Sequence, residues 1–237
     1  MHSNTASSGA ASIQNPRDLA RYIDHTLLRA DAVEKDIERL CVEACTHHFK
    51  AVCVNPIFVR KTREWIGKNS VLTASVIGFP LGTSRPQVKA LETELAIEDG
   101  AGEIDMVIRL DLVKTARWKE VEYDIAEVVN AAVSAPVKVI LETGLLTTDE
   151  IAAACQVSEN AGAAFVKTAT GFLGRGATLE DIILMKKSIS PSMQIKASGG
   201  VKTFEQACAM IAAGATRIGT SSGVALVTGA DAPSAGY

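Results

Sequence analysis

Short runs of β-branched and other apolar residues alternate with longer runs of helical period along most of the chain. Seven of the short runs have the length and the Val, Ile and Thr content of strands. These predicted strands are Ala51–Asn55, Thr73–Phe79, Glu103–Ile108, Val137–Glu142, Ala164–Thr168, Gln194–Ser198 and Thr216–Thr220. A shorter run, Arg21–Asp24, precedes the first long helical run and predicts an eighth strand.

The helical runs begin with residues that cap helices. A Ser, Thr or Asp followed three positions later by Glu, Gln or Asp has the spacing of a capping box. The sequence has five such pairs, namely Asp31 with Glu34, Ser84 with Gln87, Thr147 with Glu150, Thr178 with Asp181 and Thr203 with Gln206.

Strand and capped helix repeat without a hairpin signal, which requires parallel strands joined by right-handed crossovers. Eight such units in about 220 residues predict a single α/β domain, a (β/α)8 TIM barrel, over residues 17–237. Residues 1–16, rich in Ser, Ala, Asn and Thr, predict a mobile tail. The alternative is a doubly wound open sheet, which usually has a glycine-rich turn after its first strand. Here Cys53-Val54-Asn55-Pro56 stands at that place.

Composition narrows the class of protein. The 237 residues are 47% hydrophobic and 22% charged, with a net charge of -3, as in ordinary globular enzymes. No apolar run reaches the roughly 18 residues of a membrane span, and the first residues lack the basic start and apolar core of an export signal. No Lys/Arg block suits a phosphate backbone. We therefore expect a cytoplasmic protein that binds neither membrane nor nucleic acid.

Cysteines and histidines show no metal-binding or disulfide pattern. The five cysteines are an odd set without a Cys-x-x-Cys pair, which favours reduced thiols. The four histidines, His2, His25, His47 and His48, lack the spacing of metal ligands. The sequence therefore predicts chemistry without a metal or another cofactor.

Four predicted strands carry a charged residue within an apolar run: Asp105, Lys138, Lys167 and Lys196. An unpaired charge in an apolar interior costs several kcal/mol, so these side chains need partners or a wet cavity. The three lysines follow one another at intervals of 29 residues, one βα unit each, which predicts comparable heights in the barrel. Successive side chains of a strand point to opposite faces, and the residues next to these charges in sequence are almost all apolar. The apolar neighbours suit the helix-facing side, so the charged side chains should face the barrel axis.

Clustered lysines have a chemical consequence. Neighbouring positive charge and desolvation lower a lysine pKa from about 10.4, which leaves a neutral, nucleophilic amine. Such an amine forms an imine with a carbonyl substrate. Lys167, flanked by Lys138 and Lys196, is the candidate nucleophile. The alternative is a structural ion-pair network that closes one end of the barrel, although three cations against one obvious anion argue against it.

Small and hydroxyl residues follow the last two predicted strands. TIM barrels often bind phosphate at this place through backbone N–H groups and the start of a short helix. We therefore predict a phosphate site at Gly199, Gly200, Ser221 and Ser222. Residues 219–223 also match the Gly-x-Ser-x-Gly pattern of hydrolases, but that fold needs a histidine after the serine, and no histidine follows His48.

Seven motifs in order resemble the deoxyribose-phosphate aldolases. They are Ile23–Leu28, Val52–Pro56, Val76–Gly82, Glu103–Val107, Lys138–Thr143, Phe165–Phe172 and Lys196–Gly200. The resemblance implies reversible cleavage of 2-deoxy-D-ribose 5-phosphate to acetaldehyde and D-glyceraldehyde 3-phosphate, in the breakdown of deoxyribonucleosides.

The resemblance also implies roles for individual residues. Lys167 would form the imine, Lys196 would lower its pKa and relay protons, and Asp105 would be the acid/base partner. Other residues would line the substrate pocket, namely Asp24, Lys138, Thr168 and Gly171. Family members can use a C-terminal tyrosine in the proton relay, which makes Tyr237 a candidate. We expect a homo-oligomer, a dimer or a tetramer, that acts on small sugar phosphates and aldehydes.

Two alternatives stay open on the sequence. Another lysine-dependent barrel lyase could act on a different sugar phosphate, and analysis of the products would distinguish it. A catalytically silent sensor of phosphate ligands could use the same barrel, and it would bind ligand without turnover.

Overall fold

The computed structural model describes residues 13–229. Eight parallel strands form a closed barrel in chain order, and the last strand pairs with the first. The predicted TIM barrel is confirmed. Its strands are β1 Ile23–Leu27, β2 Ala51–Val54, β3 Leu72–Ile77, β4 Glu103–Val107, β5 Val137–Ile140, β6 Phe165–Lys167, β7 Gln194–Ser198 and β8 Arg217–Thr220.

Helices cover the outside of the barrel. The α-helices are α1 Glu34–His47, α2 Val59–Ile66, α3 Pro86–Glu98, α4 Leu110–Lys114, α5 Trp118–Ala131, α6 Thr148–Asn160, α7 Leu179–Ser188, α8 Phe204–Ala213 and α9 Gly223–Thr228. Short 3-10 turns occupy Pro16–Tyr22, Pro56–Phe58 and Thr143–Leu145. Within residues 13–229, no helix is both long and apolar enough to cross a membrane.

The first strand begins later than predicted. Arg21 and Tyr22 belong to the 3-10 turn, and β1 starts at Ile23. The Asn15 side chain accepts a hydrogen bond from Arg17 N, and Pro16 stands at the first position of the turn. A cap followed by proline favours helical backbone, which holds this segment out of the sheet.

Three of the five predicted caps are confirmed, because Thr147, Thr178 and Thr203 accept hydrogen bonds at the starts of α6, α7 and α8. The other two predictions are wrong. Asp31 pairs with Arg29 at 2.6 Å instead, and Val33 is the N-cap of α1. Helix α3 begins at Pro86, because a proline favours the first helical position and keeps the residue before it extended.

Two apolar clusters lie on opposite sides of the barrel wall. The large one, between strands and helices, contains Val137, Val139, Val166 and Ile195, the neighbours of the charged strand residues. The small one lies inside the barrel and consists of Leu28, Cys53, Ala74 and Val76, with Phe79 packed against it. The charged side chains between the outward-facing valines therefore point to the axis, as the parity argument predicts.

The boundary between tail and barrel stays a prediction, since residues 1–12 lie outside the described part of the chain. Ile13 packs against the outer core. The candidate Tyr237 also lies outside the described residues.

Candidate active site

Asp105 is the centre of a charged cluster on the barrel axis. Its Oδ1 accepts a hydrogen bond from Lys138 Nζ at 2.7 Å. Its Oδ2 accepts from Lys167 Nζ at 2.8 Å and from Lys196 Nζ at 2.7 Å. All four residues are at most 2% exposed. The structure thus brings together the four charged strand residues that the sequence singled out.

The cluster continues toward the amino ends of the strands through three further charged residues. Arg217 Nη1 donates to Asp24 Oδ1 at 2.7 Å and to Glu103 Oε2 at 2.8 Å. Lys196 Nζ also contacts Asp24 at 2.6 Å. Lys138 Nζ also contacts Glu103 at 2.7 Å. Buried charges are tolerated when each has close partners of opposite sign, and here every one has them.

The charge count from the sequence is therefore corrected. Three cations and one anion were predicted from the sequence, whereas the cluster holds four cations and three carboxylates. Glu103 and Arg217 were missed, although each carries the signal used for Asp105, a charged residue in a predicted strand. An ion-pair network does exist in this barrel, and it is part of the same site as the lysines.

The three lysines do not share one height. Lys167 pairs in register with Lys196, but Lys138 pairs with Phe165, two residues lower on β6. Strands in a closed barrel are staggered, so a constant sequence interval does not give a constant height. The long lysine side chains bridge this difference, and all three reach the same carboxylate.

The pKa values of the lysines move in different directions. Burial lowers the pKa of Lys167, and the positive charge of Lys196 adds to that effect against the attraction of Asp105. Burial acts on Lys138 and Lys196 too, but nearby carboxylates outweigh it and raise the pKa of both. Despite its burial, Asp105 has a pKa well below its usual range because of the three lysines.

Charge balance points to the same lysine. Four cations and three carboxylates leave one excess positive charge in a buried site, which is costly. The cluster becomes neutral when one lysine loses its proton, and Lys167 is the lysine whose pKa is lowered. Lys167 is therefore the group best suited to act as a neutral amine.

Neighbouring residues shape the space around the cluster. A Cβ at Gly219 would lie 2.8 Å from Lys196 Cε, so only glycine leaves room for that side chain. The Phe165 ring lies 5.8 Å from Lys138 Nζ and 5.4 Å from Arg217 Cζ. Cys53 Sγ lies 4.0 Å from Asp105 Oδ2, and burial raises the pKa of its thiol. Cys53 thus acts as a small apolar wall residue.

A second part of the site is a cavity of about 210 Å³ at the carboxyl ends of β6, β7 and β8. Five of the predicted substrate-binding residues line it together, namely Gly171, Gly199, Gly200, Ser221 and Ser222. Gly199 and Gly200 both have positive φ, 90° and 78°. Glycines in such turns let the backbone approach a ligand closely, and backbone N–H groups in turns can bind an anion. The cavity is also lined by Lys202, Gly174 and Gly176, which were not predicted from the sequence.

The remaining three predicted substrate-binding residues lie elsewhere. Asp24 and Lys138 belong to the charged cluster. The Thr168 hydroxyl donates to Ser198 O at 2.8 Å and accepts from Ser198 N at 2.9 Å. Thr168 therefore joins the ends of β6 and β7 and does not line the cavity.

Comparisons with known proteins agree with this arrangement. The family model of the DeoC/LacD family aldolases matches residues 19–228. The chain is 51% identical over 220 residues to a deoxyribose-phosphate aldolase of Brevibacillus brevis, covering 93% of this chain and 100% of that protein. It is 53% identical over 213 residues to a protein of the same name from an Exiguobacterium strain, covering 90% and 96%.

A solved structure shows the same fold. The tetrameric deoxyribose phosphate aldolase from Aeropyrum pernix superposes with a TM-score of 0.85 at 36% identity, covering 91% of this chain and 92% of that one. The family match over most of the chain confirms the resemblance drawn from the sequence motifs. This chain belongs to the DeoC/LacD family of aldolases.

Proposed function

We propose that this aldolase reversibly cleaves 2-deoxy-D-ribose 5-phosphate to acetaldehyde and D-glyceraldehyde 3-phosphate through an imine on Lys167. The observation that carries the proposal is the contrast among the three lysines around Asp105, of which Lys167 alone has a lowered pKa. The relatives named deoxyribose-phosphate aldolase support the choice of substrate.

The reaction begins at the aldehyde carbon C1 of the open-chain sugar. The neutral Lys167 amine adds to C1, and loss of one water molecule from the adduct gives the imine. The protonated imine withdraws electrons from the adjacent carbon C2. The C3 hydroxyl then loses its proton, the C2–C3 bond breaks, and its electron pair forms the C1–C2 double bond of an enamine.

The second half returns the enzyme to its starting state. Glyceraldehyde 3-phosphate leaves with C3 as its aldehyde carbon, and the enamine takes a proton at C2. Water then hydrolyses the imine, releasing acetaldehyde and the Lys167 amine. We assign the proton transfers to Asp105 with Lys196, because Asp105 Oδ2 accepts hydrogen bonds from both Lys167 and Lys196.

The cavity at the carboxyl ends of β6, β7 and β8, lined by Gly171, Gly199 and Gly200 and called the glycine-rich cavity from here on, suits the phosphate end of this substrate. Gly199 follows Lys196 by three residues, which corresponds to roughly 10 Å along a strand. The backbone N–H groups at Gly199 and Gly200, the hydroxyls of Ser221 and Ser222, and the Lys202 ammonium are all suited to a phosphate dianion.

We also propose that the protein works as a homo-oligomer, a dimer or a tetramer, in the cytoplasm. Three apolar side chains on one face of α3, Val88, Leu91 and Leu95, are each more than half exposed, at 53%, 55% and 53%. Such a stripe favours burial against a second copy. Light scattering of the purified protein tests the oligomeric state, and a monomer at micromolar concentration would contradict it.

Borohydride trapping tests the chemistry. The protein is incubated with acetaldehyde and borohydride, and its intact mass is measured beside a Lys167→Ala variant. Reduction converts an imine to a stable amine, so we expect one ethyl group, mapped to Lys167 and absent from the variant. Product analysis with 2-deoxy-D-ribose 5-phosphate then tests the substrate. A folded protein that forms no adduct would contradict the imine mechanism and favour a non-catalytic phosphate-binding protein.

A further inference from the structure

Glu142 is a buried carboxyl group that the proposed reaction does not use. It lies two residues after the end of β5, has a positive φ of 55°, and is 0% exposed. Its Oε2 accepts hydrogen bonds from Thr170 Oγ1 at 2.5 Å and from Thr170 N at 3.2 Å. Its Oε1 is buried without a partner among the described residues. A non-glycine residue in this backbone region, with a buried orphan oxygen, is costly to keep.

Thr170 belongs to the segment that connects the two parts of the site. It follows Lys167 by three residues, and its Oγ1 also accepts a hydrogen bond from Phe172 N at 3.1 Å. Gly171, between Thr170 and Phe172, lines the glycine-rich cavity. The Thr170 hydroxyl therefore hydrogen-bonds to Phe172 N, on the other side of Gly171, and to Glu142, just after β5. These two bonds connect the Gly171 turn to the end of β5.

We propose that Glu142 is a positioning residue that, through Thr170, holds Gly171 and the glycine-rich cavity at a fixed place relative to Lys167. This inference rests on the proposed function, because it assigns the two ends of one substrate to the two parts of the site. A substrate bound at both ends is sensitive to the distance between them. An aldehyde without phosphate contacts only the lysine end and is insensitive to that distance.

Burial raises the pKa of Glu142, although Thr170 hydrogen bonds and the Lys167 charge oppose this effect. Glutamine has nearly the same size and keeps an oxygen that can accept from Thr170, so it is a close mimic of this side chain. Alanine removes the connection.

The test compares Thr170→Val, Glu142→Gln and Glu142→Ala with Thr73→Val. Thr73 is a matched control, since it is a buried strand threonine whose hydroxyl has no partner among the described residues. Four quantities are measured for each variant. They are kcat/KM for 2-deoxy-D-ribose 5-phosphate, kcat/KM for unphosphorylated 2-deoxy-D-ribose, binding of inorganic phosphate, and the rate of acetaldehyde trapping.

Thr170→Val removes the hydrogen bonds of the hydroxyl with Glu142 and with Phe172 N. We therefore expect kcat/KM for the phosphorylated sugar to fall about tenfold, with weaker binding of inorganic phosphate. Trapping and the unphosphorylated sugar should stay within about twofold of the Thr73→Val control. Glu142→Ala should lose at least as much as Thr170→Val, and Glu142→Gln should recover part of the loss.

Equal losses for both sugars, or a Thr170→Val variant that matches the Thr73→Val control, would overturn the proposal. If Glu142→Ala does not fold, Thr170→Val decides the question alone. Failure of the proposed function looks different, because then the unaltered protein forms no acetaldehyde adduct. Phosphate binding by Thr170→Val would still test the positioning role in that case.

Discussion

Replacing Lys196 with methionine removes one ammonium from the cluster while keeping the length of the side chain. Lys167 Nζ and Lys196 Nζ lie 2.8 and 2.7 Å from the same Asp105 oxygen, so they are at most about 5.5 Å apart. At an effective dielectric constant of about 20, two unit charges at this distance repel by about 3 kcal/mol. Without that repulsion, the protonation equilibrium of Lys167 shifts toward the protonated form by about a hundredfold relative to the unaltered protein.

The assay is the rate of acetaldehyde trapping by borohydride as a function of pH. At pH values where most of the Lys167 amine is protonated, we expect Lys196→Met to trap about a hundredfold more slowly than the unaltered protein. A lowered pKa makes the amine available at lower pH, so raising the pKa shifts the whole profile to higher pH. Raising the pH should therefore restore the rate of the variant.

The fold of this variant is expected to persist, because Asp24 keeps Arg217 and Asp105 keeps Lys138 and Lys167 as partners. Circular dichroism checks this point. Lys119→Met, on the exposed side of α5, is the control for loss of one positive charge. A folded Lys196→Met protein with the same trapping profile as Lys119→Met would refute the electrostatic reasoning.

Three further predictions concern stability and phosphate binding. Arg217→Met leaves Asp24 and Glu103 without their guanidinium partner, so it should lower the free energy of unfolding by about 3–5 kcal/mol in urea titrations. The control is Arg117→Met, at an exposed arginine, which should change this free energy by less than about 0.5 kcal/mol. Although Asp24 is buried, the charges of Lys196 and Arg217 lower its pKa from 3.8 to about 2 in the folded protein. The stabilising contribution of Asp24 is therefore complete above pH 3.8 and is lost as the pH falls toward 2. The difference in urea midpoint between the unaltered protein and Asp24→Asn should therefore shrink over this range, and a constant difference would contradict it. Lys202→Met should raise KM about tenfold for the phosphorylated sugar and leave KM for the unphosphorylated sugar unchanged. An equal rise for both sugars would exclude a contact between Lys202 and the substrate phosphate.

Local sequence patterns predict much of this fold. Alternation of strand and helix runs, with caps such as Thr147 and Thr203, predicts the barrel because caps and periodicity depend on residues a few positions apart. Side-chain parity likewise predicts that Asp105 and the three lysines face the axis, since parity is a property of a single strand. The boundary errors at Arg21 and Ser84 occur where a proline starts a helical turn.

The distribution of charge and protons in the site depends on contacts between distant parts of the chain. Arg217 reaches Asp24 across a separation of 193 residues, and no local pattern specifies that pair. The stagger of the closed barrel, which sets Lys138 two positions below Lys167, appears only in the register between strands. Lys167 differs from Lys138 and Lys196 through burial and the placement of carboxylates around each amine. Those distances exist only after the barrel closes, and they determine which lysine can lose its proton.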